Sequence, residues 1–515
     1  MLRRVMIGGA AIVAVAVVGA FLLVRSLLAG DAVRQALEAQ ASAALGQPVT
    51  IARASASLFP RVSLQLHDVA IGHPAAVTLR RVSVATGLVG LFSRRVEDAS
   101  LVVTDSRIVL PLPRLAANAP AGAGAADGVG APGASPGFTV ASVRAIVLRN
   151  VELVAGDHVL RLDLESALEG DRLEVDRLVA RSGRTALEGR GTLTSLARLE
   201  GALGIEANPL DLDELLTVIA AIAAARDGAA AHAPGTGTPA APAAPVMLRI
   251  DLKAPTGRAA GYDFADLAAT LHVAPTGLSL APARVALFGG RFDGTLDVDT
   301  SGSPPAVALR GTMAGVDVAE LAKVAGSPGA ATGRLGGTIS IVGRGTDSQA
   351  MLRQARGTVD AIVTDGTIPG LEMVRAVVLA FGRPSGAPPP GSGSAFSRFG
   401  GTFAVGNGIA RSGNLSLASR DFDLRGGGTM GLSSGALDLR TEVVLSEELT
   451  AQAGRDLRRY AQENGRVVVP ARIGGTVARP MVSIDVGQAL GRALRSELER
   501  EAKSLLGGLF RKKKP

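Results

Sequence analysis

Apolar and polar residues alternate along most of this chain. Val62, Leu64 and Leu66 are interleaved with Ser63, Gln65 and His67, and Leu160, Leu162 and Leu164 with Arg161, Asp163 and Glu165. The same period recurs at Leu296 and Val298, Leu415 and Leu417, Phe422 and Leu424, Leu437 and Leu439, and at Val482, Ile484 and Val486. A two-residue period broken by Gly or by Asn407-Gly408 predicts antiparallel strands with one apolar face.

Two runs depart from that period. From Val5 to Val24 every position is apolar or glycine, including Ile12, Val13, Val17, Phe21, Leu22 and Leu23. About 20 residues at a helical rise of ~1.5 Å give ~30 Å, enough to cross a hydrocarbon core. Arg3 and Arg4 precede the run, which favours a cytoplasmic start with the rest of the chain outside. A cleaved signal peptide is the other reading. Its small-x-small site would be Val18-Gly19-Ala20, inside a run that continues apolar through Val24. Both readings export the chain. At the other end Leu490, Leu494, Leu498, Leu505 and Leu509 fall near one helical face, and Arg511 to Lys514 make a polybasic end. Such a helix suits an anionic membrane surface or the capping of a sheet.

Shorter helices are expected at three places. Leu37, Ala41, Ala44 and Leu45 share helical spacing. Asp211 to Leu216 and Asp317 to Ala322 repeat the pattern Asp-apolar-x-Glu-Leu-apolar, in which the Asp and the Glu suit a helix start. Segments rich in Ala, Gly, Pro and Ser read as flexible linkers at 116–137, 223–245 and 384–395. The expected organisation is an anchor at 1–30, then β regions at 31–115, 138–222, 246–383 and 396–486. A helix and basic tail occupy 487–515. The fold class expected is mainly β: a transmembrane helix, an elongated, curved antiparallel sheet structure with a few short helices, and a C-terminal amphipathic helix.

Composition narrows the chemistry. At 515 residues and 47% hydrophobic content the chain can bury a core. It has no cysteine, so disulfides and thiolate chemistry are closed to it. The formal charge of +8 is carried mostly by Arg scattered among acids, and aromatics are 3% with no Trp. Stacking platforms for nucleic acid need aromatics, so nucleic acid is not an expected partner.

Apparent catalytic motifs fail on context. Gly426-Gly427-Gly428-Thr429-Met430-Gly431 has the glycine spacing of a dinucleotide fingerprint, but the strand pattern Ala436 to Val444 follows where a helix N-terminus is required. A glycine-rich turn or bulge is expected instead. Gly431-Leu432-Ser433-Ser434-Gly435 matches a nucleophile elbow, yet the last histidine is His272, upstream of the serine. His67, Asp68 and His73 are the densest metal-type cluster, and their spacing fits no common ligand pair. No catalytic, cofactor or metal site is expected, and the chain reads as a non-enzyme.

Several ordered pieces resemble the AsmA family of bacterial envelope proteins. They are Leu45-Gly46-Gln47-Pro48-Val49-Thr50, Leu58-Phe59-Pro60 and Leu64-Gln65-Leu66-His67-Asp68-Val69 near the start. Leu287 to Gly294, Thr332-Gly333-Arg334-Leu335 and Asp365 to Gly370 follow in the middle. Asn407-Gly408-Ile409-Ala410 and Val469 to Pro480 are the most specific. The resemblance implies an inner-membrane anchor, a long periplasmic β structure akin to bridge-like lipid-transfer proteins, and a role in envelope lipid balance or outer-membrane assembly. It supplies no catalytic residues, and the long Ala/Gly/Pro insertions depart from it. The expected partners are a phospholipid bilayer, bound phospholipid and other envelope proteins. The alternating residues of the first paragraph, Val62 through Leu439, are the candidate lining of a lipid groove. The rival expectation is an assembly scaffold with a closed β core.

Overall fold

The computed structural model describes residues 30–57, 62–86, 95–96, 98–111, 139–140, 142–196, 198–231, 246–381, 389, 393–452 and 462–485. The apolar run Val5 to Val24 and the tail at 487–515, where a helix is expected, lie outside these residues. Among the described residues no helix is long and apolar enough to cross a membrane. The chain divides into two compact units, Met1–Pro275 and Thr276–Pro515. The described part is mainly β with few helices.

The first unit starts with helix α1 (Gly30–Leu45) and strands β1 (Val49–Ser57), β2 (Val62–Ile71), β3 (Val77–Thr86), β4 (Arg95–Val96), β5 (Ala99–Leu110) and β6 (Thr139–Val140). It continues with β7 (Ser142–Ala155), β8 (His158–Glu169), β9 (Arg172–Ser182), β10 (Thr185–Ser195), β11 (Glu200–Ala207) and β12 (Leu210–Asp211). Helix α2 (Leu212–Ala231), β13 (Met247–Ala259) and β14 (Tyr262–Ala274) complete it. Strands β1, β2, β3 and β5 pair antiparallel in order, as do β7 to β11 and then β13 with β14.

Two joints between long strands are parallel, β5 with β7 and β11 with β13, and the two-residue strands β12 and β4 also pair parallel, with β13 and β6. The two long joints fall where the sequence places its first two linkers. A hairpin reverses the chain, whereas a parallel neighbour requires the chain to return to the rim it left, which takes a long connection. The Ala/Gly/Pro segments are therefore crossovers within one sheet. The second crossover contains α2, which runs to Ala231 and so past the expected linker boundary at 223. Ala, the best helix former, carries it through that stretch.

The second unit is antiparallel throughout. It comprises β15 (Gly277–Leu287), β16 (Gly290–Asp299), β17 (Ala306–Asp317), helix α3 (Val318–Val324), β18 (Arg334–Arg344), helix α4 (Ser348–Gln354) and β19 (Arg356–Ile368). Helix α5 (Met373–Phe381), β20 (Ser394–Gly406), β21 (Ile409–Ala418), β22 (Phe422–Gly431) and β23 (Leu437–Leu445) follow. Helix α6 (Glu447–Gln452), β24 (Gln462–Glu463), β25 (Arg466–Thr476) and β26 (Arg479–Ile484) end it. Asn407 and Gly408 both take positive φ, 52° and 74°, and close the β20–β21 hairpin in the manner that the right-handed strand twist favours.

The expected helix starts are realised by local chemistry. Asp211 Oδ1 accepts the Glu214 N–H at 3.1 Å to open α2, and Asp317 Oδ1 accepts the Ala319 N–H at 2.8 Å to open α3. Glu214 does not complete a capping box, because its carboxylate takes the Arg184 N–H at 3.0 Å, while the Asp211 N–H bonds Thr185 Oγ1 at 3.0 Å. Tertiary partners replace the local ones.

Each unit has a smaller buried region, Leu173, Val175 and Leu193 in the first unit and Ala355, Val405 and Ala410 in the second, and one large one. In the first, Leu37, Ala41 and Leu45 of α1 pack on Val49, Ile51, Leu64, Leu66, Val69 and their neighbours on β3 and β5. In the second, Leu371, Met373 and Val377 in and before α5 pack with Phe396, Leu417, Phe422, Leu424, Val443, Val467 and Val469. Arg466 ties this region together, donating to the Leu445 carbonyl at 2.7 Å and to Asp423 Oδ2 at 3.1 Å.

Candidate apolar binding face

The strand registers line up aliphatic side chains from one strand to the next. In the first unit Val103 on β5 stands beside Leu148 on β7, which faces Leu164 on β8, which faces Leu178 on β9. The row continues through Gly189 on β10, Ile205 on β11, Leu252 on β13 and Ala269 on β14. Every step is aliphatic or glycine. In the second unit Leu280, Leu296, Leu309 and Ile341 form one such row over β15 to β18, and Ile339, Val359 and Phe403 belong to the next.

These rows differ from the closed regions in their cover. Leu148, Leu164, Leu178, Ile205 and Leu252 are only half-buried, as are Leu296, Leu309, Ile339, Ile341 and Val359. A sheet face of large aliphatic residues normally hides against another layer. Here cover is only partial: α2 lies against β5, β7, β8 and β13, Leu164 and Leu178 pack against Leu173, Val175 and Leu193, and Ile341 and Val359 against Ala355, Val405 and Ala410, yet the row positions stay half-buried.

The opposite face is a solvated lattice of charge. Arg161 pairs with Glu152 at 3.1 Å across β8 and β7, Arg284 with Asp293 at 2.9 Å across β15 and β16, and Arg310 with Asp297 at 3.5 Å. Exposed pairs of this kind add little stability, typically about 0–1 kcal/mol. They do identify which face meets water. The Asp251 carboxyl on this side is held below its ordinary range by hydrogen bonds from Thr270 and then Arg249.

The floor of the open face is smoothed by a ring laid over glycine. A Cβ built at Gly294 or at Gly311 would lie 2.7 Å from the Phe292 ring. The ring can therefore lie flat across two strands only because both neighbours lack side chains.

Of the residues expected to line a groove, Leu160, Leu162, Leu164, Leu296 and Val298 stand half-buried on the open face. Leu437 and Leu439 are half-buried at the margin of the closed region of the second unit. Leu64, Leu66, Leu415, Leu417, Phe422 and Leu424 are corrections. Leu64 is 1% exposed under α1 and Phe422 is 1% exposed in the cluster closed by α5, so neither set is open to a ligand. Val62 is placed by its pairing with Thr86. The anchor residues Val5, Ile12, Val13, Val17, Phe21, Leu22, Leu23 and Val24 lie outside the described residues. Pattern reading passed over Leu248, Ile250 and Leu252, although they alternate with Arg249, Asp251 and Lys253 as regularly as the segments it chose.

The motifs with a chemical look resolve as backbone features. Gly426 to Gly431 is strand β22, where a Cβ at Gly426 would meet the Arg440 carbonyl at 2.2 Å and one at Gly428 the Asp438 carbonyl at 2.1 Å. The irregularity expected there lies opposite, between Ser412 and Leu415 of β21. Ser433 sits in the β22–β23 turn and not on a strand-to-helix elbow. Among the described residues no three His, Asp or Glu gather as a metal site.

One polar recess of about 590 Å³ opens at the start of α2, lined by Arg184, Asp211, Asp213, Glu214 and Arg258 among others. Its carboxylates are committed to the backbone. Asp213 accepts the N–H groups of Ala260 and Gly261 at 2.7 and 2.9 Å, fastening α2 to the β13–β14 turn. The Gly261 and then the Ala260 N–H hold its carboxyl below the ordinary 3.8. A lowered folded-state pKa means that this fastening is complete above the ordinary value and is lost as pH falls through the lower one. Protection of the Ala260 and Gly261 amides, taken relative to their intrinsic exchange rates, should fall over that acidic window, and Asp213→Ala should show the same loss of protection at neutral pH, read by hydrogen–deuterium exchange.

The comparisons with known proteins bear on this arrangement. No curated protein and no solved structure matches the chain. Residues 194–413 match the AsmA family, a stretch reaching from the end of β10 into β21 and containing part of each open face. Over residues 194–413 the chain is similar to the AsmA family.

Proposed function

We propose that this protein is a non-enzymatic, membrane-anchored periplasmic protein that binds or guides phospholipid along its open apolar faces. The match of residues 194–413 to the AsmA family supports a role at the cell envelope. The observation that carries the finer reading is the half-buried aliphatic face, ordered by register over many strands and only partly covered among the described residues.

Energetics favour an acyl chain as the cover. A buried CH₂ group contributes about 0.8 kcal/mol, so a ~16-carbon tail lying fully sheltered gains roughly 12 kcal/mol relative to water. Aliphatic side chains without hydrogen-bonding groups select for hydrocarbon and not for a particular headgroup. The charged opposite face keeps the sheet soluble while the apolar face is occupied. The leading apolar run Val5 to Val24 is the anchor in this reading.

The test is lipid extraction and mass spectrometry on the purified full chain after exchange into a lipid-free detergent. Phospholipid should be retained in stoichiometric amounts. A chain carrying none, with the face filled by an envelope protein in its place, would favour the scaffold reading.

A further inference from the structure

Helix α1 closes the first unit in two ways at once. Its stripe Leu37, Ala41 and Leu45 covers the apolar face over β1 and β2. The adjoining stripe Arg34, Glu38 and Ser42 engages the backbone of β1. Ser42 Oγ accepts the Val49 N–H at 2.9 Å, Glu38 Oε1 accepts the Ile51 N–H at 2.7 Å, and Arg34 Nη1 donates to the Ile51 carbonyl at 3.4 Å. β2 pairs with the other edge of β1.

The spacing explains the fit. Four helical residues advance about 6 Å and two strand residues about 6.6 Å, so side chains at i and i+4 meet successive outward-facing groups of one strand edge. α1 thus occupies the place of a further strand while contributing no backbone ladder. A strand is removed only by breaking a continuous ladder; α1 is removed by breaking a few side-chain bonds, with the sheet left intact. It also begins at Gly30, shortly after the apolar run ends at Val24, and Leu64 and Leu66 beneath it carry the same aliphatic chemistry as the open rows.

We infer that α1 is a displaceable plug at the membrane-proximal end of the apolar face, which lifts from β1 and β2 to admit an acyl chain from the bilayer. This rests on the reading that the face takes phospholipid. The three polar contacts are the latch, and the aliphatic stripe is a stand-in for hydrocarbon.

The absence of cysteine makes the test clean. Leu64→Cys in the full chain, reconstituted in vesicles of phosphatidylethanolamine and phosphatidylglycerol, reports opening through maleimide labelling. Leu66→Cys serves as a second reporter where Leu64→Cys fails to fold, and Val443→Cys in the closed region of the second unit is the control. Releasing the latch with Glu38→Ala and Ser42→Ala should raise labelling under α1 by about ten-fold and raise co-purified phospholipid, with the control unchanged. Unchanged labelling, or a control that rises in step, would overturn the plug even if both chains carry lipid. Faster labelling with no phospholipid in either chain would overturn the acyl-binding reading, and the plug with it.

Discussion

Phe422→Ala should destabilise the second unit by about 3–5 kcal/mol, while Leu296→Ala in the same unit should cost about 1 kcal/mol or less. Phe422 is among the largest fully buried side chains, packed with Leu424, Val443, Val467 and Val469. Its backbone is pinned, since the Phe422 N–H donates to Ser419 Oγ at 3.1 Å and the Ser419 hydroxyl donates to the Phe422 carbonyl at 2.9 Å. The strand cannot shift to refill the space, so truncation leaves both a lost transfer term and a cavity. Leu296 faces Leu280 and Leu309 across its strand neighbours but is half-buried. Removing its side chain deepens a surface that is already open and creates no enclosed void. Urea unfolding followed by hydrogen exchange resolved to each unit measures both. Equal losses would mean that the row over β15 to β18 is covered after all, and the binding proposal would lose its basis.

How much of this was legible in the sequence depends on how far each residue's partner lies along the chain. Alternation is a local property, and it placed Leu160, Leu162 and Leu164 on one strand face without knowledge of any neighbour. Capping is local too, so Asp211 and Asp317 were found as helix starts. Whether an apolar face is open or closed is set by distant segments. Leu64 and Leu160 have the same pattern, yet α1 covers the first and nothing among the described residues fully covers the second. The segment Leu371–Phe381 that closes the second unit carried no repeat or motif to single it out. Its role is visible only once Ser394 bonds the Leu371 carbonyl and α5, lying against β26, packs into one buried cluster with Phe396 and Phe422. The parallel joints were missed for a related reason. Composition marks a segment as unable to form a core, but whether such a segment separates domains or returns the chain to the same sheet depends on which strands pair across it.

Ile250→Glu in the first unit and Ile339→Glu in the second should each leave the fold standing and reduce co-purified phospholipid by about ten-fold. Both residues lie on the open rows: Ile250 faces Leu271 on β14 and adjoins Leu203 on β11, and Ile339 lies between Gly311 and Val359. Because both are half-buried, a carboxylate there can keep its hydration in the empty protein. An acyl tail that settles over it would strip that water without supplying a partner, which costs several kcal/mol and cancels much of the gain from the neighbouring aliphatic contacts. Ile250→Leu, equal in hydrocarbon, should carry lipid as before. Val443→Glu supplies the opposite extreme, since Val443 is fully buried among apolar groups and a charge there has no route to water. That variant should unfold its unit. A glutamate at 250 or 339 that melts like the parent and binds as much phospholipid would place the lipid elsewhere on the protein, because hydrocarbon cannot lie against an unpaired carboxylate at no cost.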